Sequence, residues 1–240
     1  MIEKAKSIAL HSVRYGESSL IAYVYTREFG RATFMVNSAY GKGKGAKKAV
    51  FFQPLSLLNT VFYKGKGMGR LKEVTPYYNL TTIPANARKR AIALFISEII
   101  YKAIREEESN PFLFDYIELS IKTLDTMEKG VANFHLLFLA HLSKYLGFYP
   151  NGNYSEDTPY FDIKNGSFVN LQPAHPLFFS PQHSELLSLS LKTPFSKSDS
   201  IPLNGMQRAG FLDQIFKFYA YHLDSLHNIN SLAILSQIFS

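Results

Sequence analysis

The sequence contains no cysteine, which excludes disulfide bonds and thiolate metal sites and fits a reducing compartment. It also lacks any apolar run near the roughly 18 residues that a membrane span requires. The N-terminus has no unbroken apolar core of the signal-peptide kind. We therefore expect a cytoplasmic protein that is neither exported nor inserted into a membrane.

Acidic residues are scarce in the first third of the chain. Residues 1–79 contain 13 Lys and Arg but only 4 Asp and Glu, a net charge of +9, whereas residues 80–240 contain 13 and 15, a net charge of −2. A folded module with this charge attracts a polyanion such as a nucleic acid through counterion release. Charge alone leaves open the alternative of a basic surface that only aids solubility.

The first third also carries the pattern of a small β-barrel. Apolar residues alternate in several short segments rich in β-branched and aromatic residues, and Gly-containing turns separate most of them. The predicted strands are Lys6–Arg14, Ser19–Arg27, Arg31–Asn37, Val50–Lys64 and Arg70–Tyr77. A five-stranded meander of this length predicts a closed barrel of the oligonucleotide-binding (OB) type.

After Pro84 the apolar period changes from two residues to 3.6, which predicts helices. Asn110 is the predicted N-cap of the second helix and Gly147 the predicted C-cap of the third. Residues 148–182 break the helical pattern, and Asn165-Gly166 predicts a hairpin turn there. The predicted fold class is α+β: an OB-type barrel domain at 1–79 and an all-α helical domain at 80–240, interrupted by a small irregular hairpin segment at 148–182.

A Gly- and Lys-rich stretch after the third predicted strand is the sharpest local feature. In it Gly41, Gly43 and Gly45 alternate with basic residues, which predicts a flexible cationic loop able to follow a phosphate backbone. The stretch is not a Walker A loop, because Ala46 stands where that motif needs its second Gly. A solvated linker is the alternative. The candidate DNA-binding residues of this stretch are Tyr40, Lys42, Lys44, Lys47 and Lys48.

Further basic residues could extend this surface. One group straddles the next Gly-rich turn, and another opens the first helix, where positive charge opposes the helix dipole. Arg14 and Arg31 could join them, or could instead pair with Glu17 and Glu28. The additional candidates are Arg14, Arg31, Lys64, Lys66, Arg70, Lys72, Arg88, Lys89 and Arg90.

The sequence offers little sign of an active site. His135 and His141 are six residues apart, which does not suit an i, i+4 zinc pair. Asp157, Asp162 and His175 match no known pattern of metal ligands. We therefore expect no catalysis, no metal and no cofactor. A metal-dependent nuclease is the enzymatic alternative.

Three stretches of the sequence form a recognisable set. They are residues 6–21, KSIALHSVRYGESSLI, residues 25–31, YTREFGR, followed by the basic loop, and residues 146–150, LGFYP, with the later YFD and NG. In order and spacing they resemble the RecO family of bacterial recombination mediators. Many members carry four zinc-binding cysteines after the last motif, whereas this chain has residues such as Asn151, Asn153 and Asp157 there. The resemblance therefore implies a zinc-free variant.

The resemblance also implies a function and partners. Family members bind single- and double-stranded DNA, anneal complementary strands and, together with RecR, load RecA onto DNA coated by single-stranded-DNA-binding protein. We accordingly expect a nucleoid-associated protein whose helical domain docks partners, including the acidic tail of single-stranded-DNA-binding protein. An RNA-binding or ribosome-associated adaptor fits the charge pattern equally well and is the alternative from a different class.

Overall fold

The computed structural model describes residues 1–40, 48–65 and 67–239. The chain forms two compact units, Met1–Asp125 and Thr126–Ser240. The first unit contains the barrel and also the first helices of the region predicted to be helical. The domain boundary between residues 79 and 80 stays a prediction.

Five strands of the first unit form a closed barrel, which confirms the predicted fold class. The spatial order is β1-β2-β3-β5-β4, and β4 closes the barrel by pairing antiparallel with β1. The strands are β1 (Ile2–Tyr15), β2 (Ser19–Thr26), β3 (Gly30–Val36), β4 (Leu57–Tyr63) and β5 (Gly69–Tyr78).

The apolar side chains of the predicted alternating pattern fill the interior of this barrel. Side chains at every second strand position point inward, as in Leu20, Ala22 and Val24 of β2. Phe34 and Phe62 pack with ring centroids 4.5 Å apart in the core, and a polar pair, Ser7 and Thr60, shares a buried hydrogen bond of 2.7 Å. The residues between them along each strand therefore point outward, away from the barrel core.

The prediction of a simple meander is wrong. The β3 strand is not followed in space by β4 but by β5, to which it pairs in parallel at Phe34↔Gly69 and Met35↔Arg70. Strand β4, which lies between these two in the chain, pairs instead on the other side of β5 and with β1. Local turn signals do not determine this order.

The fourth strand also begins later than predicted, at Leu57 rather than Val50. Residues Lys48–Phe52 form a short 3-10 helix, and Phe52, 3% exposed, inserts into the barrel core. Leu55, fully buried, has a φ of 64°, a left-handed conformation that interrupts an extended strand. The first residues of the segment predicted as a strand therefore form this 3-10 helix, and the strand begins after it.

Three helices complete the first unit: α1 (Thr82–Ala85), α2 (Ala87–Ala103) and α3 (Pro111–Thr126). The predicted N-cap is confirmed, because the side chain of Asn110 accepts a 3.1 Å hydrogen bond from the backbone N–H of Leu113. Helix α2 packs on β1, where the hydroxyl of Ser97 donates to the carbonyl of Leu10. The outer faces of β1 and β2 are thus partly covered by helices.

The second unit is helical around a small hairpin. Its helices are α4 (Phe134–Tyr145), α5 (Pro181–Lys192), α6 (Gly205–His222) and α7 (Ser231–Phe239). The strands β6 (Tyr160–Asp162), β7 (Ser167–Val169) and β8 (Phe178–Phe179) form a sheet in the order β7-β6-β8. The predicted hairpin turn is confirmed, and Gly166 there has a φ of 60°.

Candidate nucleic-acid interface

The outer face of β5 carries two of the predicted cations. Arg70 and Lys72 are exposed, while Leu71 between them points into the core. Because β5 runs parallel to β3, Lys72 lies further toward the end of β3 that leads to Tyr40. Lys72 is also 3.6 Å from Glu73, a contact between two exposed side chains that contributes little energy. These two residues place positive charge on the outer face of β5.

Arg14 and Tyr40 meet at that same end of β3. The Arg14 guanidinium lies 5.2 Å from the centre of the Tyr40 ring and donates a 2.9 Å hydrogen bond to the backbone carbonyl of Glu17. The Tyr40 ring is 46% exposed. Arg14 is therefore held by a backbone carbonyl of Glu17 rather than by its carboxylate, and the pair presents a cation and an open ring together.

The Lys-rich loop starts directly after Tyr40. Lys42, Lys44 and Lys47 lie outside the described residues, as does Lys66 of the next basic turn. Lys48 is half-buried at the start of the 3-10 helix. The DNA contacts predicted for these lysines stay predictions.

Lys64 is placed at a different part of the barrel. Its ammonium group lies 5.3 Å from the centre of the Phe29 ring, and Phe29 precedes the first residue of β3. Tyr40 follows the last residue of β3, so roughly 20 Å of strand separates the two ends. Because side chains alternate along a strand, Lys64 belongs to the face of Phe62 and not to the outer face that Arg70 shares with Tyr63. Lys64 thus points to a different side of the sheet from Arg70, although it follows Tyr63, the cross-strand neighbour of Arg70.

Arg31 has a structural role in the first unit. Its guanidinium donates 3.1 Å hydrogen bonds to the backbone carbonyls of Tyr101 and Ile104 at the end of α2, and it lies 4.5 Å from the centre of the Tyr101 ring. These contacts satisfy carbonyl groups that a helix end leaves without intrahelical partners. These hydrogen bonds to the end of α2 correspond to neither of the predicted roles of Arg31, a DNA contact or an ion pair with Glu28.

The prediction for Lys89 needs a correction. Lys89 is only 4% exposed, and its ammonium donates to the carbonyl of Asp125 and to the hydroxyl of Thr82. A side chain held in this way cannot reach a phosphate. Its neighbours Arg88 and Arg90 are exposed, although Arg90 donates a 2.7 Å hydrogen bond to the carbonyl of Pro84.

The barrel face beneath α3 has a balanced charge. Arg27 forms a two-pronged pair with Asp115 at 2.8 and 3.0 Å, and Lys122 pairs with Glu118. Burial, followed by the neighbouring carboxylates of Glu118, Asp115 and Glu28, raises the pKa of Tyr77. The basic residues of this face are therefore paired with carboxylates.

Sequence reasoning missed three exposed or half-exposed residues on the outer face. Met35 and Tyr63 are the cross-strand neighbours of Arg70, and Lys4 is exposed on the outer face of β1. The sequence could have identified Lys4 as an outward-facing residue, because Lys4 alternates with the inward-facing Ala5. The sequence could not have placed Met35 beside Arg70, because that position depends on the parallel pairing of β3 and β5.

The irregular segment contains no cysteine, so it offers no thiolate ligand for zinc. Asp162 accepts a 2.9 Å hydrogen bond from the backbone of Lys164 and a 2.7 Å bond from the side chain of Asn165, and His175 Nε2 lies 3.4 Å from its Oδ1. Two of the three candidate metal ligands therefore meet, but Asp162 is engaged in its own turn. Among residues 1–40, 48–65 and 67–239 no group of three His, Asp or Glu is arranged to hold a metal ion.

No helix in the described part of the chain combines the length and the apolar character needed to cross a membrane.

Comparison with known proteins agrees with this architecture. Residues 1–79 match the family described as Recombination protein O N terminal, and residues 85–232 match the family described as Recombination protein O C terminal. The chain is 34% identical to the DNA repair protein RecO of Phocaeicola vulgatus and 36% identical to that of Bacteroides fragilis, in each case over 100% of both chains. It is 35% identical to the DNA repair protein RecO of Flavobacterium johnsoniae over 99% of each chain. The chain therefore belongs to the RecO family.

Proposed function

We propose that this chain is a non-catalytic, cytoplasmic recombination mediator that binds DNA through its barrel, anneals complementary strands and assists RecA loading in recombinational repair. The observation that carries the proposal is the pair of exposed cations, Arg70 and Lys72, on the outer face of the barrel in a chain of the RecO family. Repulsion between two phosphate backbones opposes annealing. A surface that neutralises phosphates lowers this repulsion.

The annealing experiment uses complementary DNA strands and, in parallel, RNA strands of the same sequence. The double variant Arg70→Gln, Lys72→Gln should anneal DNA more slowly and lower the slope of log K against log salt by about two units. The matched control is Lys217→Gln, an exposed lysine of α6 that pairs with Asp213 at 3.0 Å. Unchanged annealing and an unchanged slope in the double variant would move the site elsewhere.

The Lys-rich loop is tested separately. Converting Lys42, Lys44, Lys47 and Lys48 to Ala should weaken binding to all DNA sequences alike and lower the salt slope by up to about four units. Faster annealing of RNA than of DNA would instead support an RNA-binding adaptor. Cleavage of either substrate that stops on adding a chelator would support a nuclease.

RecR and the acidic tail of single-stranded-DNA-binding protein are the proposed protein partners. An apolar cavity of about 340 Å³ between α6 and α7 offers a place for apolar side chains of such a tail, and Arg208 brings positive charge to its lining. Met206, 87% exposed, stands at this cavity. The variant Met206→Glu should weaken binding of the acidic tail peptide, measured by fluorescence anisotropy. Leu171→Glu, at a site 75% exposed and outside the cavity lining, is the control.

A further inference from the structure

The C-terminal helix α7 lies in a groove that it only partly fills. A cavity of about 340 Å³ opens on one side of the helix and a second of about 330 Å³ on the other. Ala209 and Leu212 of α6 line both cavities. Leu235 and Phe239 of α7 line the first, and Leu232 lines the second. Helix α7 therefore crosses α6 and leaves apolar surface open on either side of the crossing.

Little burial holds α7 in this groove. Of its nine described residues only Ser231 and Leu235 are buried, and Ile234 is 42% exposed. A helix of this length is marginal in water by itself, because isolated helices need about 12 residues or more. A segment with few buried apolar side chains opens at a low free energy. We therefore expect α7 to leave the groove far more readily than the second unit unfolds.

Phe239, in the last turn of α7, occupies a site that other elements build. Its ring stacks on His135 of α4, with ring centroids 5.8 Å apart, and the Arg208 guanidinium lies 5.9 Å from its centre. Arg208 is anchored without α7, because its Nε donates a 3.0 Å hydrogen bond to the side chain of Asn133. Its Nη2 donates a 2.8 Å hydrogen bond to the carbonyl of Leu203. The site beside Arg208 therefore does not depend on α7.

The chemistry of this site suits another occupant better than α7. The segment Ser231–Phe239 contains no Asp or Glu, so its side chains bring a ring to Arg208 but no carboxylate. A carboxylate gains charge-assisted hydrogen bonds from a guanidinium, which are stronger than the contact of a cation with an aromatic ring. An acidic peptide with apolar side chains can place both kinds of group in this groove.

We propose that α7 is a displaceable strap, which occupies the groove on α6 until an acidic peptide with apolar side chains takes its place. The inference rests on the partner site proposed above and adds regulation to it, because a docked α7 weakens binding at that site. The apparent dissociation constant rises in inverse proportion to the fraction of molecules whose groove is open. A groove open in about a tenth of the molecules therefore weakens binding about tenfold.

The first experiment measures binding of the acidic tail peptide of single-stranded-DNA-binding protein to full-length variants by fluorescence anisotropy. Leu235→Ser and Phe239→Ser loosen α7 and should each tighten binding, by up to about tenfold. Ala233→Gln, at an exposed position of the same helix, is the matched control and should bind like the wild type. Weaker binding by Leu235→Ser and Phe239→Ser would show that α7 is a wall of the site, and unchanged binding by both would also overturn the proposal.

The second experiment follows the opening of α7 directly, with a single cysteine in a chain that has none. Leu235 is 2% exposed, and Leu187 of α5, which lines neither cavity, is 1% exposed. Without peptide, Leu235→Cys should react with a thiol reagent at least about tenfold faster than Leu187→Cys, because α7 opens locally. The peptide should accelerate the reaction of Leu235→Cys and leave that of Leu187→Cys unchanged.

The two proposals fail in different ways. Equal reaction rates of the two cysteine variants without peptide would overturn the strap, as would a peptide that slows the reaction of Leu235→Cys. Failure of the proposed partner site would appear as no binding of the peptide to any variant, even to those with a loosened α7.

Discussion

The ammonium of Lys89 lies 3.0 Å from the backbone carbonyl oxygen of Asp125 and donates a hydrogen bond to it. The carboxylate of Asp125 in turn accepts hydrogen bonds of 2.8 to 3.1 Å from the backbone N–H groups of Thr81, Thr82 and Ile83. Burial alone would raise the pKa of Asp125, but these donors outweigh it and hold the pKa below its usual value. The start of the helical region is thereby fixed to the end of α3.

Lys89→Met should destabilise the first unit without affecting DNA binding. The substitution removes the hydrogen bonds that the Lys89 ammonium donates to the Asp125 carbonyl and the Thr82 hydroxyl, and the loss of such charge-assisted bonds costs about 1.5–3 kcal/mol. Urea unfolding measures the loss, with the exposed neighbour Arg88→Met as the control for stability. A reduced salt slope of DNA binding in a folded Lys89→Met protein would contradict the structural role.

Arg31→Lys should also lower stability although it preserves the charge. An ammonium cannot reproduce both hydrogen bonds to the α2 carbonyls or the stacking on Tyr101, so we expect a loss of about 1–2 kcal/mol. Thermal unfolding checks this against Arg14→Lys, at the exposed barrel end, which should change little. An unaltered melting temperature in Arg31→Lys would mean that these contacts are dispensable.

These two residues show where sequence reasoning reached its limit. Alternation and caps predicted the strands, the Asn110 cap and the 165–166 turn because each depends on residues close in the chain. Arg31 meets carbonyl groups some seventy positions away, and Lys89 meets one thirty-six positions away. A basic residue looks the same in sequence whether it faces solvent or a helix end, so only the tertiary packing separated these two from Arg70 and Lys72.

Gly30→Ala should be among the most damaging small substitutions in the first unit. Gly30 has a φ of 67°, and a Cβ there would lie 2.2 Å from the backbone carbonyl oxygen of Glu108. Because the obstacle is backbone, the loss should exceed the roughly 1–2 kcal/mol that a left-handed conformation alone costs. Gly16→Ala isolates that conformational cost, since Gly16 has a φ of 61° and nothing within 4 Å of the added Cβ. Equal unfolding free energies of the two variants would refute the predicted clash.

His135 should make the second unit sensitive to acid. Burial, and secondly the nearby Arg208, lower the pKa of His135 from 6.5 to about 3. The unfolded chain then binds a proton below about pH 6.5 that the folded chain does not bind. Stability is therefore fully present above pH 6.5 and falls by up to about 1.4 kcal/mol per pH unit toward pH 3.

The variant His135→Leu removes this proton uptake and should reduce the fall in stability between pH 6.5 and pH 4. It should not abolish the fall, because burial also lowers the pKa of His141, His183 and His222. Urea unfolding at a series of pH values gives the slope for each protein. His227→Asn, at an exposed position, should keep the wild-type slope. If His135→Leu kept the wild-type slope as well, His135 would have to take up its proton in the folded state near pH 6.5, contrary to its burial.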